Sequence, residues 1–213
     1  MKKIFILFLL IPLFQINAQK IGKLAPDTSR IVFPPSAWGV NLMFGEGGFG
    51  IGTFYKTRLT ENLTGFIDFS ISESKDEKEF EYIDYWGAVY VHNKKNRVFM
   101  LPVNLGIQYR MFSNSLTDNF RPYISIAAGP TMVITNPYEK EFFEALGYSQ
   151  LRMAVGGYAA IGTNFGISRS SLLGITIKYS YAHLFDDGVE NIFGRFRKNI
   201  GTLSISFDLG LQF

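Results

Sequence analysis

The last eleven residues of the chain, LSISFDLGLQF, alternate strictly between large apolar and small or polar side chains. Every odd position from Leu203 to Phe213 is apolar, and every even position from Ser204 to Gln212 is small or polar. Because successive side chains of a β-strand point to opposite faces, the pattern predicts a strand with one apolar and one polar face. Any fold of this chain must therefore place the two faces in different surroundings.

The same alternation recurs in seven other segments, so the sequence predicts eight strands. The four clearest of the seven lie at 49–59, 63–72, 99–111 and 174–182, and the three weaker ones at 38–44, 123–134 and 152–167. In a soluble sandwich the polar faces would be rich in Lys and Glu, but here they consist mainly of Gly, Ala and Ser with few charges.

The predicted connections alternate in length. Short turns at 60–62, 113–119 and 168–171 alternate with long segments at 73–96, 136–150 and 184–199. Short turns at one rim and long loops at the other are typical of membrane barrels. We therefore predict an all-β fold, an eight-stranded antiparallel up-and-down transmembrane β-barrel over residues 37–213, with a two-sheet sandwich as the alternative. Aromatic residues near the strand ends are expected to form interfacial girdles: Trp38, Tyr55, Tyr109, Phe120, Tyr123 and Phe213.

The first eighteen residues have the layout of a secretory signal peptide. Lys2 and Lys3 precede an apolar run from Ile4 to Phe14, and a small residue, Ala18, follows. We expect residues 1–18 to be a signal peptide and residues 19–36 to be a periplasmic lead-in. An even number of strands returns the chain to its starting rim, so both mature termini are expected in the periplasm and the barrel in the bacterial outer membrane.

Composition limits the classes of function. The formal net charge of +3 gives no basis for nucleic-acid binding. The chain contains no Cys, so it has neither disulfides nor cysteine metal sites. No cofactor and no metal site are predicted.

Two stretches resemble known bacterial barrels. The segment SFDLGLQF, residues 206–213, resembles the C-terminal strand that the barrel-assembly machinery recognises through a final aromatic residue, here Phe213. The stretch FMLPVNLGIQYRMFSNSLTDNFRPYISIAAGP, residues 99–130, is similar to the outer-membrane β-barrel domain family of small barrels, which includes the outer-membrane protein A transmembrane domain. The resemblance covers most of residues 36–213. It implies assembly by that machinery and contact with outer-membrane lipid and lipopolysaccharide, but no particular activity.

Several polar side chains fall on the predicted inner face of the barrel. Since a lone charge in a narrow lumen is strongly penalised, we expect these groups to pair into a network that plugs the barrel. An excess of basic groups also allows a narrow anion-preferring channel as an alternative. The predicted lumen-lining residues are Lys56, Arg58, Asp68, Asn104, Gln108, Arg110, Lys178 and Asp208, with Arg152 as a further candidate.

The long loops are candidate interaction surfaces. Residues 73–97 hold Phe80, Tyr82, Tyr85 and Trp86, which could anchor an extracellular protein or glycan. The segment NPYEKEFFEALG predicts a short helix. In this helix Asn136 is the N-cap, Pro137 the first residue, Glu139 the partner in a capping box and Gly147 the stop. Phe142, Phe143 and Leu146 would then face the barrel mouth as a lid or a partner surface.

An enzymatic alternative depends on His183. A lipid A-modifying acyl hydrolase on a barrel needs a hydroxyl nucleophile within hydrogen-bond reach of a histidine. Two residues from His183, on the same strand face, are Tyr181 and Phe185, while Ser180 lies on the opposite face. The sequence therefore favours a non-enzymatic structural or surface-interaction barrel, with the acyl hydrolase and the narrow channel as alternatives.

Overall fold

The computed structural model describes residues 34–87, 89–113, 116, 119–166 and 170–213. The predicted signal peptide, residues 1–18, and residues 19–33 of the predicted lead-in lie outside the described residues. Within the described part of the chain, no helix has both the length and the hydropathy needed to cross a membrane.

Among the described residues, eight long strands pair in the order β1-β2-β3-β6-β7-β8-β9-β12 and close into an antiparallel barrel. Each barrel strand pairs with the next one along the chain, so the topology is up-and-down. These strands are β1 (Ser36–Gly45), β2 (Gly48–Arg58), β3 (Leu63–Ser74), β6 (Asn96–Arg110), β7 (Phe120–Pro137), β8 (Gln150–Phe165), β9 (Ser171–Leu184) and β12 (Asn199–Gln212). The predicted fold class is confirmed.

Two of the loops contain a small hairpin of their own. The β3–β6 loop holds β4 (Glu81–Ile83) and β5 (Val89–Val91), and the β9–β12 loop holds β10 (Val189–Ile192) and β11 (Arg195–Arg197). The β7–β8 loop holds a one-turn helix, α1 (Phe142–Ala145), followed by a 3-10 turn at Leu146–Tyr148.

The barrel closes between its first and last strands. Trp38 lies opposite Leu211 in this pairing. Two backbone hydrogen bonds complete the closure, from the Ser36 amide to the Phe213 carbonyl at 3.1 Å and from the Phe213 amide to the Ser36 carbonyl at 2.9 Å. A closed sheet leaves no unpaired edge, which is what a sheet surrounded by lipid requires.

Apolar side chains cover the outside of the barrel and polar side chains fill the inside. On β6, Leu105 has 72% of its surface exposed, whereas its neighbour Asn104 has 3% exposed. The other barrel strands show the same alternation. Outward apolar residues such as Ile126 and Ile177 are exposed, and inward polar residues such as Ser125 are buried. This arrangement matches a sheet with lipid outside and its own polar side chains inside.

The narrow interior explains the small residues on the inward face. A Cβ atom on Gly106 would lie 2.4 Å from the Phe66 ring and 2.6 Å from the Ala127 Cβ, too close for either contact to be tolerated. An eight-stranded barrel is only wide enough for its own side chains, so large residues such as Phe66 require a glycine on the neighbouring strand.

The two rims of the barrel differ. The short-turn end carries the β2–β3, β6–β7 and β8–β9 connections and both ends of the barrel sheet, and the long-loop end carries the other connections. One connection at the long-loop end is also short, because Gly45 pairs with Gly48 and only two residues separate β1 from β2. Gly48 has a φ of +116°, a conformation that few other residues adopt.

Two sequence-based expectations are wrong in detail. Tyr123 is not a girdle residue, because it points into the lumen and is 2% exposed. The helix predicted to start at Pro137 begins five residues later, at Phe142, because β7 continues to Pro137 and pairs there with the start of β6. Asn136 caps nothing, and its side-chain oxygen instead accepts a hydrogen bond from the Ser149 hydroxyl at 2.8 Å.

Candidate functional site

The centre of the lumen holds two lysines and two aspartates. Lys56 lies on β2, Asp68 on β3, Lys178 on β9 and Asp208 on β12, and all four side chains are buried. The Lys56 ammonium donates to the Asp208 carboxylate at 3.2 Å. Equal numbers of cations and anions make this part of the lumen electrically balanced, which limits the cost of burying the charges.

Asp68 is held by two neutral donors. The Asn104 amide donates to one carboxylate oxygen at 2.9 Å, and the Tyr158 hydroxyl donates to the other at 2.6 Å. Lys178 lies over the Tyr158 ring, 4.9 Å from its centroid, and its ammonium is 3.1 Å from the Met43 sulfur. Asp68 therefore joins β3, β6 and β8 across the interior.

Aromatic rings complete the central network. Lys56 lies 4.5 Å from the centroid of Phe54 and 5.6 Å from that of Tyr123. The Tyr123 hydroxyl is hydrogen-bonded to the Thr176 hydroxyl at 2.6 Å. Ring faces attract cations, so the two rings help to hold the buried ammonium of Lys56. A cavity of about 30 Å³ remains among these groups, enough for a few water molecules.

The remaining predicted lumen cations lie toward the short-turn end. Arg58, Arg110 and the unpredicted Arg121 line a cavity of about 80 Å³, together with Glu61 and Gln108. The excess of basic groups expected from the sequence is therefore concentrated at this mouth and does not extend through the central lumen.

Toward the long-loop end, on the side formed by β6 to β9 and β12, the lumen is filled by a group of buried apolar side chains, which we call the apolar seal. Seven inward residues near the strand ends combine with Val189 from the β9–β12 loop. Val98, Val133, Leu184 and Ile200 have no exposed surface. The seal comprises Val98, Met100, Val133, Ala154, Ala182, Leu184, Val189 and Ile200.

Above the seal, the β3–β6 and β9–β12 loops are joined by buried charges into what we call the loop cap. The Asp76 carboxylate has no exposed surface and pairs with Arg195 at 2.9 Å and with Arg197 at 3.0 Å. Lys94 pairs with Glu79 at 2.9 Å. These pairs link segments that are far apart in the chain, so the cap is a folded structure and not a set of independent loops.

Asn191 is the neutral centre of the loop cap. Its amide group donates to the Ser74 carbonyl and to the Glu79 carboxylate, both at 3.1 Å, and its oxygen accepts from the Arg197 guanidinium at 2.9 Å. Burial lowers the pKa of Arg197, while Asp76 and Glu79 oppose that effect. The arginine therefore depends on its acidic neighbours in the cap.

Arg152 is placed differently from the sequence-based expectation. It lies at the long-loop rim, where its guanidinium donates to the Asp186 carboxylate at 2.7 Å. Burial alone would raise the pKa of Asp186, but the Gly188 amide and the Arg152 guanidinium outweigh it and hold the pKa below its ordinary value. Arg152 belongs to the rim end of β8 and Asp186 to the β9–β12 loop, so this ion pair does not line the central lumen.

Hairpin β4–β5, which we call the aromatic hairpin, presents bare aromatic rings. Tyr82 and Tyr90 stack across the two strands with centroids 5.9 Å apart. At the turn, Tyr85 and Trp86 pack edge to face at 5.6 Å and remain 94% and 87% exposed. Phe80, just before the hairpin, is also exposed. The four aromatic residues singled out in this loop are therefore accessible together.

Helix α1 does not cover the barrel mouth as expected. Phe142 packs edge to face on Phe99, an outward-facing residue of β6, with centroids 6.1 Å apart, and on Phe143 at 5.5 Å. Phe143 is 84% exposed and Leu146 is half exposed. The residue of this segment that is buried is Ala145. The aromatic side chains therefore lie on the outer surface, above the apolar band.

His183 has an amide as its partner. It lies on the outer face at the end of β9, and its Nδ1 atom is 2.6 Å from the Asn199 side-chain oxygen. An amide oxygen orients an imidazole but is not a nucleophile. Among the described residues, no group of three or more His, Asp or Glu side chains is arranged to hold a metal ion.

The strand order, the apolar outer surface and the polar interior are together the features of barrels that cross outer membranes. The chain is an outer-membrane-type β-barrel. No protein-family model matches it, and no curated protein does.

Solved structures of small outer-membrane barrels are similar in fold. Neisserial surface protein A is 10% identical at a TM-score of 0.49, over 84% of this chain and 94% of that one. Ail, the attachment invasion locus protein of Yersinia pestis, is 10% identical at a TM-score of 0.45, over 85% of this chain and 100% of that one. The N-terminal barrel domain of Pseudomonas aeruginosa OprF is 9% identical at a TM-score of 0.46, over 85% of this chain and 98% of that one. The closed eight-stranded barrel itself confirms the expected fold, and these likenesses say nothing about function.

Proposed function

We propose that the protein is a non-enzymatic barrel of the bacterial outer membrane that binds a partner outside the cell through its long loops. In this proposal the short-turn end faces the periplasm, lipid and lipopolysaccharide surround the apolar band, and the barrel-assembly machinery recognises β12 through Phe213. The observation that carries the proposal is the aromatic hairpin, whose Tyr85 and Trp86 rings are almost fully exposed.

Exposed aromatic rings on a rigid base are suited to binding. Tyr and Trp supply a large contact area at a small cost in side-chain entropy, and they dominate the binding energy of many interfaces. The aromatic hairpin follows directly on the Asp76 region, which the loop cap holds through two arginines. The rings are thus displayed on an ordered support, and their exposure to water costs free energy that a partner would recover.

The two alternatives have less support. A channel needs a continuous aqueous path, and the apolar seal with the balanced central network opposes one. An acyl hydrolase needs a nucleophile beside His183, whose partner is the Asn199 amide. Unchanged lipid A mass spectra on overexpression, with wild type and His183→Ala alike, would remove the hydrolase.

Site-specific photocrosslinking in living cells tests the proposal. A benzophenone amino acid replaces Tyr85 or Trp86 in the aromatic hairpin and, as a control, Phe112 at the short-turn end, which is also aromatic and is 64% exposed. We expect a discrete adduct from positions 85 and 86 that the control position does not give. An absence of adducts from the hairpin, or adducts with lipopolysaccharide alone, would overturn the proposed interaction.

A further inference from the structure

A second feature of the long-loop end has the dimensions of a ligand site. A cleft of about 520 Å³ lies between the β7–β8 loop and hairpin β10–β11, and we call it the loop cleft. Pockets for small ligands range from about 300 to 1,000 Å³. No residue of the aromatic hairpin lines the loop cleft, so the cleft and the hairpin are separate surfaces.

The loop cleft lies next to the apolar seal, on the side of the long loops. Asn96 and Thr135 line the cleft, and each lies on its strand two residues beyond a seal residue, Val98 and Val133 respectively. Arg152 lines the cleft in the same way, two residues from Ala154. A molecule entering from the long-loop end therefore meets a dead end, which suits retention of a ligand and not its passage.

The two cations of the loop cleft are already paired with carboxylates, and Glu139 adds a further acidic side chain to the lining. Lys95 is paired with the Glu190 carboxylate, which also accepts from the Gly194 amide at 2.7 Å. The hydrogen bond from Lys95 and then that amide hold the pKa of Glu190 below its ordinary value. Arg152 is paired with Asp186 at 2.7 Å. Since both cations have a carboxylate partner, an anionic ligand would have to displace one of them.

The walls combine aromatic surface with polar groups. Tyr148, Phe193 and Phe196 line the loop cleft and each is more than half exposed. Gln150 supplies an amide group that both donates and accepts. A wholly apolar ligand would bury the exposed amide group of Gln150 without replacing its hydrogen bonds to water, which is costly.

A sugar ring fits this combination. Its C–H face packs on aromatic rings, and its hydroxyl groups exchange hydrogen bonds with amides and with charged pairs without disturbing the balance of charge. We propose that the loop cleft is a binding site for a neutral saccharide, packed against Phe193 and Phe196 and hydrogen-bonded to Gln150. This site adds a second recognition element to the aromatic hairpin and does not depend on a partner at that hairpin.

The test uses the full barrel in lipid nanodiscs, because glycoside detergents would compete for the site. Neutral oligosaccharides of glucose, galactose, mannose and N-acetylglucosamine are compared with sulfated and sialylated counterparts on an array, and any bound member is titrated calorimetrically. We expect binding of at least one neutral oligosaccharide. Phe193→Ala combined with Phe196→Ala should weaken it roughly tenfold or more.

Two further variants separate this site from others. Gln150→Ala removes an exposed side chain that contributes nothing to the apolar seal, so it should weaken binding while leaving the heat-dependent gel mobility of the barrel unchanged. Tyr85→Ala combined with Trp86→Ala should bind the saccharide like wild type. Binding of anionic glycans alone, binding of none, or equal binding by the Phe193 and Phe196 variant would overturn the inference, and none of these results bears on crosslinking at the aromatic hairpin.

Discussion

The side chains of Lys56 and Asp208 meet 3.2 Å apart inside the barrel, although 152 residues separate them in the chain. Lys56 lies on β2 and Asp208 on β12, and both strands pair with β1. The ion pair therefore reaches across β1 and reinforces the closure of the sheet from within.

Removing one member of this pair should destabilise the barrel strongly. Lys56→Met leaves a buried carboxylate without its cation, which costs roughly 3–5 kcal/mol in comparable sites. The double change Lys56→Met with Asp208→Leu should cost less than the sum of the two single changes, because the orphaned charge is gone. The measurement is the urea midpoint of unfolding in lipid vesicles. Additive losses would show that the two groups are not coupled.

Tyr158→Phe should weaken the barrel through Asp68. The change deletes the 2.6 Å hydrogen bond to one carboxylate oxygen, while Asn104 still donates to the other. The free energy of unfolding is expected to fall by about 1–3 kcal/mol, measured from the same urea midpoint. Tyr179→Phe, on the lipid-facing side, is the matched control and should change stability by less than about 0.5 kcal/mol. Equal effects of the two changes would contradict the role given to Asp68.

Asp76→Asn should open the loop cap. The change leaves Arg195 and Arg197 without their buried counter-ion, so residues 195–198 should become sensitive to trypsin added to intact cells. The control is Asp187→Asn, which changes an exposed carboxylate of the β9–β12 loop. This variant should remain resistant to trypsin. Cleavage from outside the cell would also establish that the long-loop end faces outward. Resistance of both variants to protease in whole cells and in ruptured cells would mean that the cap does not depend on Asp76.

The wild-type barrel should not conduct ions in planar bilayers, because the apolar seal blocks the lumen. Arg110→Glu, at the short-turn mouth, should be equally silent. Discrete conductance steps whose ion preference shifts with Arg110→Glu would instead favour the narrow channel.

The Glu190 carboxylate should make part of the loop structure sensitive to acid. Its pKa is held below the ordinary value of 4.5, first by Lys95 and then by the Gly194 amide. Its contribution to stability is therefore complete above pH 4.5 and is lost as the pH falls through the lower folded pKa. The Gly194 amide resonance, followed by NMR in nanodiscs, should titrate below 4.5 in wild type.

Lys95→Met should move the same titration upward, toward the ordinary value, because it removes the largest cause of the shift. The Leu184 amide, which donates to the Lys198 carbonyl, is an internal control that should not titrate with Glu190. A wild-type midpoint at or above 4.5 would rule out the proposed hydrogen bond.

The clearest strands could be predicted from the sequence because their two faces differ sharply. On β6 the apolar Leu105 is 72% exposed and its polar neighbour Asn104 is 3% exposed, in keeping with the alternation of the sequence. Strands β7 and β8 contain Gly and Ala on both faces, so their alternation is weak. For that reason the sequence pattern places Tyr123 at the outer girdle although it points inward, and no local signal marks Tyr158 as a lumen residue.

The loop cap could not be predicted from the sequence. Its pairs join residues more than a hundred positions apart, such as Asp76 and Arg197, and no local pattern marks them. The start of helix α1 differs from the prediction for a related reason. Asn and Pro favour helix starts, but at Asn136 and Pro137 strand pairing with β6 outweighs that local preference.

The two-residue connection between β1 and β2 gives the barrel wall an uneven height. Strand β7 has 18 residues and β1 only 10, so the sheet rises much further on one side than on the other. With the long-loop end facing the medium, as proposed, a large soluble molecule would meet the tall side first, with its loops and aromatic surfaces. A neighbouring membrane protein can come closest at the low side, where little projects above the lipid. The two sides are thus free to meet different neighbours at the same time.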